Sequence, residues 1–194
     1  MAGMTEADQD ADQDAIGRVL DFWFGPGDGD RWFKRDEALD RAVRETLADD
    51  HERAAAGAYD SWRESARGCL ALVLLLDQVP RHLFRDDPKA FATDARAHDV
   101  ARHAIEQGFD RQIAAQSQRM FLYLPLEHSE RLADQENCCR LMATLEENKG
   151  WAEWAMMHRD VIARFGRFPH RNTVLDRDSS EAEQEFLAQP NSAF

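Results

Sequence analysis

Residues 69–76 read Cys-Leu-Ala-Leu-Val-Leu-Leu-Leu, eight positions without a polar side chain. No stretch of the chain alternates apolar and polar residues long enough to suggest a strand, so this run reads as helix. A helix that is apolar nearly all round is stable in water only with neighbours on every side. It therefore belongs at the centre of a bundle, and the other segments must wrap it. It is far too short to cross a bilayer, which takes about 20 apolar residues.

The flanking segments carry helix punctuation. A short helix over 15–24 is predicted to stop at Gly25-Pro26-Gly27. A second runs from Arg31 or Asp36 to Ala56, where Gly57 ends it. Ser61 and Glu64 have capping-box spacing and open the central helix, which Pro80 is expected to stop. Asp87-Pro88 opens another, ending at Gly108, with an apolar stripe of Phe91, Ala95, His98, Ala101 and Ile105. Asp110 is expected to cap a helix that Pro125 ends, and a further one begins near Ser129. Trp151, Trp154, Ala155, His158, Val161, Ile162 and Phe165 form a three-four stripe, and Ser180 with Glu183 opens a last short helix. The connections are short, so neighbours should be antiparallel. The expectation is an all-α, antiparallel helix-pair bundle of about seven to eight helices. It places one domain over 15–189, a disordered acidic N-terminus over 1–14 and a flexible C-terminus over 190–194.

Charge narrows the function classes. The chain has 24 Lys+Arg against 37 Asp+Glu, a formal charge of −13. Such a surface repels nucleic acid and anionic lipid, so neither is expected as a partner. Cys69, Cys138 and Cys139 are odd in number, two of them are adjacent, and they have no zinc spacing. They suit the reducing cytoplasm rather than a disulfide framework. A monomer or homodimer is the default.

Against that acidic background, 161–175 holds Arg164, Arg167 and Arg171 and no acid. Phe165, Gly166, Phe168, Pro169, His170 and Asn172 accompany them. Arginine forks set by aromatics beside a rigid turn suit a carboxylate or phosphate, and equally suit a clamp on a neighbouring side chain. Asp77 and Gln78 end the most apolar helix, where a carboxylate is disfavoured by burial and by the helix dipole. Asp77 therefore needs a partner, such as Arg81 or an arginine from 164–171. Either a structural ion pair or a base that orients an arginine would satisfy it. His128 and Glu130 flank Ser129 at an expected helix start, where free backbone N–H groups attract anions. Ser129 reads as an N-cap rather than a nucleophile, since no nucleophile elbow surrounds it. His158 lies on an apolar stripe, one turn before the arginines. No metal motif links Asp77, His128, Glu130, His158 and His170, so no metal or cofactor is expected.

The motifs Leu20-Asp-Phe-Trp-Phe-Gly25, Leu76-Asp-Gln-Val-Pro-Arg81, Ala90-Phe-Ala-x-Asp94, Pro125-Leu-Glu-His-Ser-Glu130 and Arg164-Phe-Gly-Arg-Phe-Pro-His-Arg-Asn172 occur in that order. Together they resemble a bacterial family known as domain of unknown function 924, over roughly 16–187. The resemblance implies antiparallel helix pairs of the tetratricopeptide-like class, and no activity. One departure is Leu175-Asp176-Arg177, where the family usually has Leu-Gly-Arg, so the loop after Asn172 loses an easy left-handed residue.

Two functions compete on these residues. In the first, Arg81, Arg164, Arg167 and Arg171, with Gln78, Glu130, His158 and Asn172, hold a small anionic molecule. His128 or His170 moves a proton, and Asp77 orients the clamp. In the second, the helix pairs form a scaffold for a peptide or protein partner, whose terminal carboxylate the arginines capture.

Overall fold

In a computed structural model, which describes residues 6–25, 32–147, 150–190 and 192, every regular element is helical. The order is α1 (Glu6–Trp23), α2 (Glu37–Ala55), α3 (Ala66–Val73), a π-helical turn (Leu74–Gln78), α4 (Val79–Leu83), α5 (Asp94–Glu106), α6 (Gln116–Glu127), α7 (Leu132–Met142), α8 (Gly150–Phe165) and α9 (Glu181–Leu187). Short 3-10 turns occupy Asp60–Glu64, Pro88–Phe91, Asp110–Gln112 and Pro169–Arg171.

Within the segment expected to be disordered, α1 begins at Glu6, and Asp12 accepts a hydrogen bond from Ser61. At the other end, Ser192 is buried and donates to the Leu187 carbonyl, at variance with a flexible terminus there. The Pro26-Gly27 part of the first stop signal lies outside the described residues.

Hydrogen bonds fix the pairing. Residues 40, 44 and 51 of α2 meet 82, 83 and 75 of the central helix in that order, so the two run antiparallel. Residues 94 and 103 of α5 meet 81 and 63 in the same sense. Gln135 and Cys138 of α7 meet the carbonyls of Leu126 and Tyr123 of α6. The apolar run sits where its composition requires: Cys69 to Leu76 is at most 1% exposed throughout. Gly68 makes that packing possible, because a Cβ there would lie 2.1 Å from the Trp62 carbonyl oxygen.

The caps were partly legible. Asp36 caps α2, and Ser180 with Glu183 forms the complete capping box of α9. The central helix starts one turn later than expected, with Ser65 as its N-cap. Neither proline ends a helix. Pro125 lies inside α6, and α4 continues through Pro80 to Leu83. Pro80 is tolerated because the turn before it is already π-helical: the Val79 N–H reaches back five residues to Leu74. The next three carbonyls are received by side chains. His51 Nδ1 donates to Leu75 at 2.8 Å, Thr93 Oγ1 to Leu76, and the Arg81 guanidinium to Asp77. Thr93→Val should leave the buried Leu76 carbonyl unsatisfied and cost about 1–3 kcal/mol, read as a lower urea midpoint at unchanged m-value.

Candidate functional site

The π-helical turn brings Asp77 and Gln78 onto a face shared with the end of α6 and the 168–171 turn. Asp77 is wholly buried and has three partners. His128 Nδ1 donates to Oδ1 at 2.7 Å, Gln78 Nε2 to Oδ2 at 2.5 Å, and Arg81 stands 3.5 Å away. Burial alone would raise its pKa, but Arg81 and His128 hold the carboxyl well below the usual carboxylate range. Arg81 in turn grips Asp94 with both terminal nitrogens, at 3.0 and 3.2 Å. His98, one turn along α5 from Asp94, lies 3.1 Å from Asp134.

Arg171 has a different environment. Its side chain is 7% exposed, and its guanidinium makes no hydrogen bond among the described residues. The nearest carboxylate oxygen is Asp94 Oδ2, at 3.6 Å. Two rings flank it instead, Phe91 at 4.8 Å and Phe168 at 4.6 Å, and cation–π attraction replaces part of the lost hydration. Burial first, and then repulsion from Arg81, bring its pKa down to about 10, so it stays charged at neutral pH.

Around this guanidinium lies a cavity of about 430 Å³, lined also by Gln78, Arg81, Arg85, His128, His158 and His170, with Lys34 and Arg35 at its edge. The three histidines are neutral at pH 7. Burial lowers His128, outweighing Asp77. Burial takes His158 to about 4. Burial with the Arg171 charge takes His170 to about 3. Neutral His128 with Nδ1 donating to Asp77 presents Nε2 as an acceptor, a base oriented by a carboxylate. Among the lining cations, Arg85 has Asp40, Arg81 has Asp77 and Asp94, the exposed Arg35 has Asp86, and Arg171 has Asp94 at 3.6 Å.

A second cavity of about 460 Å³ adjoins it, sharing Phe33, His128 and His158. Its other walls are Met120, Leu124, Glu127, Met142, Gly150, Trp151 and Trp154. Glu127 is its buried acid. With no cation beside it, burial raises its pKa to about 8, and Cys138 Sγ donates to it at 3.8 Å.

The structure thus unites Asp77, Gln78, Arg81, His128, His158, His170 and Arg171. Four expected ligands lie elsewhere. Arg167 makes two hydrogen bonds to Glu183, at 2.7 and 2.9 Å, and one to the Asp178 carbonyl. Arg164 is exposed and lies over the Phe165 ring. Glu130 accepts from Arg177 and from the Phe168 N–H, and Asn172 ties Arg177 to Ser179. The cause is the 168–171 turn. Gly166 leaves α8 at φ 70°, and the 3-10 geometry then stacks Phe168 and Arg171, three apart, on the inner side. Arg167 is left facing α9. The left-handed position that loss of the glycine was expected to remove is kept after Asn172, since Asp176 itself takes φ 51°.

The helix-start argument for His128 also fails. It follows the last turn of α6, and α7 begins at Leu132. Ser129 donates to Asp134 and is not an activated nucleophile. The sequence reading missed Phe91 and Asp94 as parts of the Arg171 cradle, and Glu127. The one signal for Glu127 was an acid closing the apolar stretch from Met120 to Leu126. Among the described residues, no three His, Cys, Asp or Glu side chains gather as a metal site, and no helix is long and apolar enough to span a membrane.

A family model described as a bacterial protein of unknown function, DUF924, matches residues 19–191. The solved structure titled protein of unknown function ATU0120, from Agrobacterium tumefaciens, is 39% identical, with a TM-score of 0.86, over 91% of this chain and 98% of that one. No curated protein matches. With the family model spanning nearly the whole helical domain, the chain belongs to the bacterial family DUF924.

Proposed function

We propose that the chain binds a small monoanion in the cavity around Arg171, with His128 Nε2 as the proton acceptor beside it. The observation that carries this reading is a buried guanidinium that makes no hydrogen bond among the described residues. A buried charge is normally both paired and hydrogen-bonded; Arg171 has Asp94 only at 3.6 Å, and missing hydrogen bonds are expensive there. A carboxylate or similar planar anion would supply two acceptors to such a fork. Gathering of arginines and His128 at a cavity supports this reading over the peptide scaffold, which calls for basic side chains spread along an open groove.

Arg171→Leu separates ligand binding from folding. Without ligand, the variant should be more stable than wild type by about 1–4 kcal/mol, because an apolar side chain replaces a poorly compensated buried charge. A thermal-shift series with acetate, formate and phosphate should raise the wild-type Tm, a ligand at a hundred times its Kd adding about 2.7 kcal/mol. The variant should show no shift. Wild type unmoved by every anion, together with a variant less stable than wild type, would show Arg171 to be structural.

A further inference from the structure

The Arg171 cavity shares part of its lining with a neighbour. Phe33, His128 and His158 line both it and the neighbouring 460 Å³ chamber, whose volume lies in the range of small-molecule sites. That chamber has an opposite character. Met120, Leu124 and Met142 are at most 4% exposed, and Trp151 and Trp154 complete an apolar lining. Its one acid, Glu127, keeps its proton at neutral pH, because burial disfavours the charged form. The chamber therefore offers apolar contact and no charge, beside a cavity that offers charge and hydrogen-bond donors.

Resting on the anion reading above, we infer that the ligand is an amphiphilic monocarboxylate, its head at Arg171 and its short alkyl or aryl tail in the Met120–Leu124–Met142 chamber. The planar guanidinium of Arg171 matches the two coplanar oxygens of one carboxylate. The common boundary at His128 and His158 brings the first carbons of the tail beside His128 Nε2. A free carboxylate without a tail would leave the apolar chamber to water, and an apolar molecule without a head would leave Arg171 without a hydrogen bond.

Calorimetric titration of the full chain with sodium acetate, butanoate, hexanoate and octanoate tests this, with methyl phosphate as the dianion control. Affinity should rise about fourfold per methylene until the chamber is full, and then level off. Methyl phosphate should bind more weakly than butanoate. Leu124→Trp fills the chamber, so hexanoate should fall to the affinity of acetate, with acetate unchanged. Trp154 is 47% exposed, so Trp154→Ala is expected to fold even if Leu124→Trp does not. It should weaken hexanoate at least threefold and leave acetate alone. Acetate and hexanoate binding equally, both lost in Arg171→Leu, would overturn the tail and leave the anion site standing. Chain-length dependence untouched by both chamber variants would likewise overturn it. Absence of binding by every carboxylate would overturn the tail and the anion site together.

Discussion

Asp77→Asn should destabilise the protein by about 3–5 kcal/mol near pH 7, the range found when one partner of a buried ion pair is removed. Asp77 is wholly buried and is shared by His128, Gln78 and Arg81. The amide keeps the shape and loses the charge, so Arg81 retains Asp94 alone. The carboxyl of Asp77 is held below its ordinary value, so its contribution is present above about pH 4 and is lost as pH falls. Urea unfolding should therefore show a gap between wild type and variant that closes in acid. A gap that stays constant down to pH 2 would mean that shape, not charge, is what the fold requires. The imidazole would also lose its charged support. NMR titration should find His128 protonating at lower pH in the variant, since Asp77 is the neighbour that raises its basicity.

Glu127→Gln should act in the opposite direction. A carboxyl raised from 4.5 to about 8 on folding favours the folded state fully below about pH 4.5, and that stabilisation is lost as pH rises toward 8. By pH 7 the loss is about 3 kcal/mol, at 1.36 kcal/mol for each unit of pH. Glutamine cannot ionise, and its carbonyl can still accept from Cys138. The variant should match wild type at pH 4 and exceed it by about 3 kcal/mol at pH 7. Denaturation midpoints that rise equally at both pH values would indicate better packing instead. Asp77 and Glu127 thus pull in opposite directions, one contribution failing as pH falls below about 4 and the other declining as pH rises from about 4.5 toward 8.

The fold could be read because its main constraints are local. An apolar run with no polar face has one place to go, and Asp36, Ser180 and Glu183 act within a single turn. The site was half legible for the same reason. Asp77 needed a partner, and Arg81 is four residues along its own helix. Arg164, Arg167 and Arg171 looked alike in sequence, but which of them turns inward depends on one 3-10 turn and on Glu183 waiting on α9. Glu183 and Asp94 compete for arginines from distant parts of the chain, and spacing along one segment carries no record of that competition. Pro80 misled because loss of a helical hydrogen bond was weighed without His51 and Thr93, whose side chains reach across from other parts of the bundle.

The π-helical turn has a geometric consequence beyond housing Asp77. It acts as one extra residue spliced into a helix, and each residue advances the angular phase by about 100°. Everything from Val79 onward is therefore rotated relative to the register that Cys69 to Val73 established. Excising Leu76 would restore a uniform winding and swing Arg81 and His82 about a quarter-turn around the axis, parting Arg81 from Asp94 and His82 from Asp40. A single out-of-step turn thus lets one rod face the bundle interior at its beginning and the ligand cavity at its end.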